Sequence, residues 1–336
     1  MEIEKNEIKN LLDKEIYNEK QVNSTFLEEL YNLRKNIVWE FTSLHILWHI
    51  ISIYGYMTYP FGSHKLTTLW FLLYGLYTGF GITGGIHRYW THRTYKAKTP
   101  LRLFLAGAYY GAGMFPIRQW VKIHRIHHKY TDTDSDPHNA KRGFFYSHIG
   151  WLMQKKHPEF YKRLKEIDMT DINEDPIANF GDKHFYKMML LISFLIPSLV
   201  PIIFWNENWY WAFMTQTFMR YVTVLNFTSL VNSAAHLMGS KPFNKDIDPS
   251  DNRLVATLAI GEGWHNFHHV FPWDYRTGGI GNHDINVTTI LINQFAKIGW
   301  AYDLKTASKD LVMATCKKRG DGSFTNHWEE VPEPKN

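Results

Sequence analysis

Four long stretches of this chain lack charged side chains almost entirely, and they come in two pairs. Residues 41–64 and 66–86 contain no Asp, Glu, Lys or Arg, and only Lys65 separates them. Residues 188–206 repeat the pattern, and 209–237 carry one formal charge, Arg220. At about 1.5 Å rise per residue, each stretch crosses the ~30 Å hydrocarbon layer as a helix. Pro197 and Pro201 fall where they kink the third stretch. Trp205, Trp209, Tyr210 and Trp211 surround the second turn as an interfacial belt does. The pattern predicts an all-α integral membrane protein, with four spans in two hairpins at approximately 41–59, 66–86, 188–206 and 209–231. A buried helical hairpin in a soluble domain is the competing explanation.

Polar sections flank and separate the pairs. Residues 87–187 hold 18 Lys and Arg against 10 Asp and Glu, whereas the hairpin turns hold only Lys65 and Glu207. The positive-inside rule then places both termini and the middle section in the cytosol. The expected organisation is a cytosolic tail over 1–40, a membrane domain over 41–316 and a C-terminal tail over 317–336. Within the domain, residues 87–187 and 236–316 form a cytosolic cap. The first residues are charged throughout and do not read as a cleavable signal peptide.

Composition excludes several classes. With 37 Lys and Arg against 32 Asp and Glu, the formal charge of +5 is too mild to imply nucleic acid. Cys316 stands alone, so a disulfide scaffold is ruled out, and 45% apolar residues exclude a disordered chain.

The chemistry lies in histidine. Half of the 18 histidines fall into four short groups: His87 and His92; His124, His127 and His128; His236; and His265, His268 and His269. At about 100° per residue, each His-x-x-His-His triplet aims three rings towards one side of a helix. The i+3 and i+4 rings still diverge by about 100°, which suits two neighbouring ions better than one. His87 and His92 would point about 140° apart on a regular helix, so they would reach different ions unless the helix breaks. Nine imidazoles exceed what one ion holds, and two ions are the economical reading. Imidazole alone does not choose among Fe, Zn, Cu and Ni. A closed structural zinc site, the His-Glu-x-x-His protease pattern and a carboxylate-bridged di-iron bundle all fit poorly, since Glu262-x-x-His265 is the only Glu-x-x-His among the groups.

These residues carry a resemblance. Gly-Gly-Ile-His87-Arg-Tyr-Trp-Thr-His92, Trp120-Val-Lys-Ile-His124-Arg-Ile-His127-His128, Asp136-Pro-His138 through Ser-His148-Ile-Gly-Trp, Asn232-Ser-Ala-Ala-His236 and Gly-Glu262-Gly-Trp-His265-Asn-Phe-His268-His269 stand in order. In these words, over about residues 37 to 315, the chain resembles the membrane acyl-CoA desaturases of the stearoyl-CoA type, the insect members most. The resemblance implies two Fe ions held by the nine histidines, with Asn232 reaching an ion through water. It also implies a narrow kinked tunnel for a long acyl chain, with Trp120, Thr228 and Ser229 at the kink; Trp120 and Thr228 match the family, whereas Trp is usual at 229. Core packing alone would equally place a tryptophan at 120.

Further expectations follow from the same resemblance. Gly75 and Gly79 wall the far end of the tunnel and admit about 16 carbons or more, although close helix packing explains two small residues equally well. Lys122, Lys155 and Lys156 face the CoA phosphates, Lys122 replacing the usual Arg. Glu40, Phe41 and Ile123 depart from the family's Arg, Asn and Asp. O2 is the co-substrate, and electrons come from cytochrome b5 with its NADH-dependent reductase. The implied location is the endoplasmic reticulum membrane, multi-pass, with both termini cytosolic. The letters Gly79-x-Gly81-x-x-Gly84 match a dinucleotide fingerprint but lie inside an apolar span, and the match is read as chance. Two other functions stay open: a hydroxylase or bifunctional oxidase on the same centre, and, from a different class, a membrane metal transporter or metal-binding protein. Transport ligands normally lie inside the spans, whereas eight of these nine histidines flank or follow them.

Overall fold

In the computed structural model, which describes residues 35–278 and 286–324, regular structure is almost entirely helical. Most of the predicted tail 1–40 and the end of the tail 317–336 lie outside the described residues. Helices stand at each apolar stretch. The first pair is α1 (Trp39–Thr58) and α2 (Lys65–Thr91). The section that follows contributes β1 (Lys96–Ala97), α3 (Thr99–Ala112) and α4 (Ile117–Lys129). The second pair is α5 (Phe185–Trp205) and α6 (209–232). The C-terminal section adds α7 (His265–Val270), α8 (Val287–Lys297), β2 (Ala301–Tyr302) and α9 (Lys309–Arg319). The two-residue strands pair antiparallel, Lys96 opposite Tyr302, and tie the middle section to the C-terminal one.

Two of these helices, α2 with 27 residues and α5 with 21, are long and apolar enough to cross a membrane. Leu47, Ile50 and Ile53 on α1, Leu69, Leu72 and Leu73 on α2, and Leu190, Leu191 and Ile203 on α5 are all exposed. Apolar surface on this scale suits lipid rather than water. Trp48 of α1 fixes the inner side, with its ring 5.1 Å from Phe218, 5.0 Å from Tyr221 and 5.3 Å from Phe194.

The one formal charge of α6 is fully buried. Arg220 donates to the Gly111 and Gln216 carbonyls at 3.0 Å, and to the Ser193 carbonyl and hydroxyl. Ser193 lies in a π-wound stretch of α5, Met189–Leu195, just before Pro197. The irregular winding thus accompanies backbone oxygens that take the guanidinium hydrogens, which is how a cation persists among apolar helices. At the opposite ends of the helices, Glu207 joins the two hairpin turns: His64 Nδ1 lies 2.8 Å from its carboxylate, and Thr67 and the Asn208 N–H donate to it.

The second half of α2, Gly81–Thr91, is wound as a π-helix and packs against α3. A Cβ on Gly81 would fall 2.3 Å from the Ala108 and Tyr109 backbone, so glycine is required for this approach. α3 itself ends at Gly113 in the left-handed region, φ 67°. Gly81→Ala is expected to destabilise the detergent-solubilised protein by about 1–3 kcal/mol or more. Gly75→Ala, where a Cβ meets nothing within 4 Å, should stay within about 0.5 kcal/mol of the parent in the same thermal unfolding assay.

Candidate metal centre

The nine histidines arrive from four separate segments and converge. His87, His92, His124, His128 and His268 form one group, and His127, His236, His265 and His269 form a second; within each, the candidate donor atoms lie within 4.8 Å of one another. The triplets divide as helix geometry requires: in each, positions i and i+4 serve one group and i+3 serves the other. His87 and His92 depart from the expectation of separate ions or a broken helix. They share a group because α2 is widened into a π-helix, with the His92 N–H bonded to the His87 carbonyl at 3.1 Å. An i to i+5 ring brings both imidazoles to one side, their centroids 4.9 Å apart.

The remaining segments are placed by local hydrogen bonds. α6 ends at Ser233, and the short helix Ala234–Leu237 then carries His236 inward. α7, which carries the last triplet, has its first turn capped from a distance: Asp251 accepts the Asn266 and Phe267 N–H groups at 2.8 and 3.2 Å.

Successive Nε2 atoms face one another: His87 to His268 at 3.0 Å, His268 to His128 at 2.9 Å, His128 to His124 at 3.1 Å and His124 to His92 at 3.0 Å. In the second group, His127 to His269, His269 to His265 and His265 to His236 measure 3.2, 3.1 and 3.0 Å. Bonds of about 2.1 Å to a shared cation place neighbouring nitrogens about 3.0–3.4 Å apart, so the spacing fits a common ion in each group. Burial, then repulsion among the imidazoles, holds His92, His124, His128, His265, His268 and His269 well below the ordinary histidine range. They are therefore neutral, the ligating form. Burial also opposes charge on His127, but Asp136 and Asp132 outweigh it and raise that ring above the ordinary value.

Three carboxylates orient rings from behind. Asp136 Oδ2 lies 2.7 Å from His127 Nδ1, Asp132 Oδ2 2.8 Å from His236 Nδ1, and Glu262 Oε2 2.7 Å from His87 Nδ1. Each fixes the proton on Nδ1 and turns the Nε2 lone pair towards the group. Glu262 is in turn held by Arg88, a fully buried guanidinium that also donates to the Tyr275 and Arg276 carbonyls and to Thr289. The loop after α4 builds its own support: Asp136 accepts the Asp132 N–H at 2.9 Å, and Asp132 accepts that of Ala140 at 2.7 Å. Sequence reading passed over Asp132, Arg88 and the supporting roles of Asp136 and Glu262. The acid-rich run Asp132-Thr-Asp134-Ser-Asp136 close behind the second histidine group was the available signal. His138, ring to ring with His127 at 4.3 Å, was also missed as a member of the site.

A cavity of about 850 Å³ runs beside both groups, lined by His87 and His124 of the first and His265 of the second. Trp120, Lys122, Lys155, Lys156, Thr228, Ser229 and Asn232 all line it, as do Phe41 and Ile123. The Trp120 ring stacks on His124, with centroids 4.8 Å apart and planes at 22°. Thr228 donates its hydroxyl to the Val224 carbonyl. Lys156 lies over the Trp151 ring at 4.5 Å, and burial lowers its ammonium to about 7. Gly75 and Gly79 do not line this cavity, contrary to expectation. A Cβ on Gly79 would meet Ile260 at 3.5 Å and one on Gly75 open space, while α2 reaches the cavity through Ile82, Thr83 and His87.

Comparison with known proteins agrees with this geometry. The fatty acid desaturase family model matches residues 64–277. The chain belongs to the fatty acid desaturase family. It is 47% identical over 291 residues to an Acyl-CoA Delta-9 desaturase of Acheta domesticus, covering 86% of this chain and 81% of that one. An Acyl-CoA Delta(11) desaturase of Spodoptera littoralis is 47% identical over 290 residues, covering 85% of each chain. Stearoyl-CoA desaturase 5 of Bos taurus is 43% identical over 290 residues, covering 86% of each.

The buried rings of this desaturase give stability a definite pH dependence. Below pH 6.5 the unfolded chain protonates imidazoles that the fold keeps neutral, so the unfolded state binds more protons and stability falls with pH. His127 and Asp251, whose carboxyl burial pushes up to about 7, work in the opposite direction, but they are two groups against seven rings once the buried His138 is included. The unfolding midpoint of the metal-stripped protein should decline below about pH 6.5. A rising midpoint there would contradict the neutral assignment.

Proposed function

We propose that this desaturase inserts a double bond into a long saturated acyl-CoA, using O2 and two electrons at a pair of iron ions. The observation that carries the reading is the continuity of the cavity, whose lining includes Lys122, Lys155 and Lys156 as well as imidazoles from both histidine groups. The lysines suit the phosphates of CoA, and the apolar remainder of the wall suits an alkyl chain. The proposed spans are 41–59, 66–86, 188–206 and 209–231, with the histidines in a cytosolic cap at the endoplasmic reticulum membrane. Exposed apolar side chains on α1, α2 and α5 support this placement.

An unactivated methylene offers no acidic proton, so no acid or base of the protein can begin the reaction. Bound at the two groups, iron would supply O2 reduction coupled to the removal of two hydrogens, chemistry that belongs to a cofactor. His87, His92, His124, His128 and His268 would hold one ion and His127, His236, His265 and His269 the other, with Asn232 reaching an ion through water. The protein's own contribution is position and dryness. Trp120, Thr228 and Ser229 bend the chain where the cavity passes the imidazoles, and the buried walls keep water away from the reacting carbons. Electrons would come from cytochrome b5 and its reductase, which the positive charge of the section 87–187 favours as an acidic partner.

Expression in a host lacking its own desaturase, followed by mass spectrometry of total lipids, tests the reading. The expected product is a mono-unsaturated chain, and His268→Ala should abolish it. A mono-ol in place of the alkene would replace desaturation with hydroxylation. Metal uptake that is lost in His268→Ala while lipids stay unchanged would favour transport.

A further inference from the structure

Away from the ligands, a chain of single hydrogen bonds joins α1, α6 and the segment Tyr146–Gly150. The Val222 carbonyl accepts from Asn226 Nδ2 at 2.7 Å, which settles the orientation of that amide. The same Nδ2 lies 3.1 Å from His49 Nε2, so His49 accepts there and its Nδ1–H donates to the His45 carbonyl at 2.7 Å. Asn226 Oδ1 then faces His148 Nε2 at 3.0 Å and can only accept, so the His148 proton sits on Nε2. In the neutral ring, His148 Nδ1 is consequently an acceptor, and the atom it faces is the Ser233 hydroxyl at 2.9 Å. Burial lowers the basicity of His148, in keeping with the neutral ring.

Ser233 is where α6 stops. Its φ of −110° and ψ of −73° leave the helical path, and the His236 and Leu237 N–H groups both bond back to its carbonyl at 3.1 Å. Asn232 precedes this break and His236 follows it. A serine hydroxyl in a helix ordinarily returns to the carbonyl four residues back, and Ser229 offers one at 3.0 Å. The single hydroxyl proton serves one acceptor, and with the His148 proton held on Nε2 by Asn226, His148 Nδ1 competes with the Ser229 carbonyl for it at the shorter distance.

We infer that His148 is a positioning residue for the second histidine group, acting through the Ser233 hydroxyl to hold the break that presents His236 and Asn232. The inference rests on the two-ion reading of the centre. Its role lies in one nitrogen, Nδ1, and two amide substitutions separate that nitrogen from the other. His148→Asn keeps an amide near the Nδ1 position, whereas His148→Gln keeps one near Nε2 and so preserves only the contact with Asn226.

The test is cobalt(II) titration of the full-length, metal-stripped protein in detergent, read by ligand-field absorbance and by bound metal per chain. The parent should bind two ions. His148→Gln should weaken one of them by about 10- to 100-fold and leave the other unchanged, which also shows that the variant folds. His148→Asn should recover most of the lost affinity. Parent-like binding of both ions by His148→Gln overturns the inference alone, as does equal weakening by both variants. Loss of both ions in His148→Gln makes the residue merely structural. A parent that binds fewer than two ions removes the two-ion reading, and the inference with it.

Discussion

Nine imidazoles must be held with their Nε2 atoms converging, and the architecture follows from that requirement. Imidazoles crowded this closely gain nothing from one another without a cation, and water is largely excluded from them. They stay in place because other groups hold them. Asp132, Asp136 and Glu262 fix three rings through Nδ1. Asp251 caps the helix that presents three more, and a π-wound end of α2 brings His87 and His92 round to one side. Arg88 links Glu262 to the loop before α8, so the first and last histidine groups share one buried ionic network. Uncompensated charge there would be costly, and the Glu262 carboxylate lies between the Arg88 guanidinium and the His87 ring.

The same economy governs the apolar part. Helices that carry polar groups into a low-dielectric setting must satisfy them internally. Arg220 does so through backbone carbonyls beside a π stretch, and Glu207 through the turns it joins. The cavity depends on this rigidity, because a flexible alkyl chain can be presented at one bond only if the walls do not move with it.

Much of the fold and centre was legible in the sequence for physical reasons. Stretches with at most one charged side chain and long enough to cross a bilayer stand out in a sequence, and helices stand at all four. The His-x-x-His-His triplets showed their division between two groups through helix periodicity alone. The His87 and His92 relation was not legible, because a five-residue spacing reads as divergence unless the helix is known to widen. The supporting acids were not legible either, since Asp132 and His236 stand 104 residues apart and meet only in space. Gly75 and Gly79 do not line the cavity, which α2 reaches through Ile82, Thr83 and His87 on its π-wound end.

The central claim is that two iron ions sit within these two histidine groups in the working enzyme. Anomalous scattering at the iron edge from crystals of active protein tests it most directly. The account predicts two peaks, one enclosed by His87, His92, His124, His128 and His268 and the other by His127, His236, His265 and His269. A fully active preparation with no iron, or with a single peak outside these groups, would contradict it.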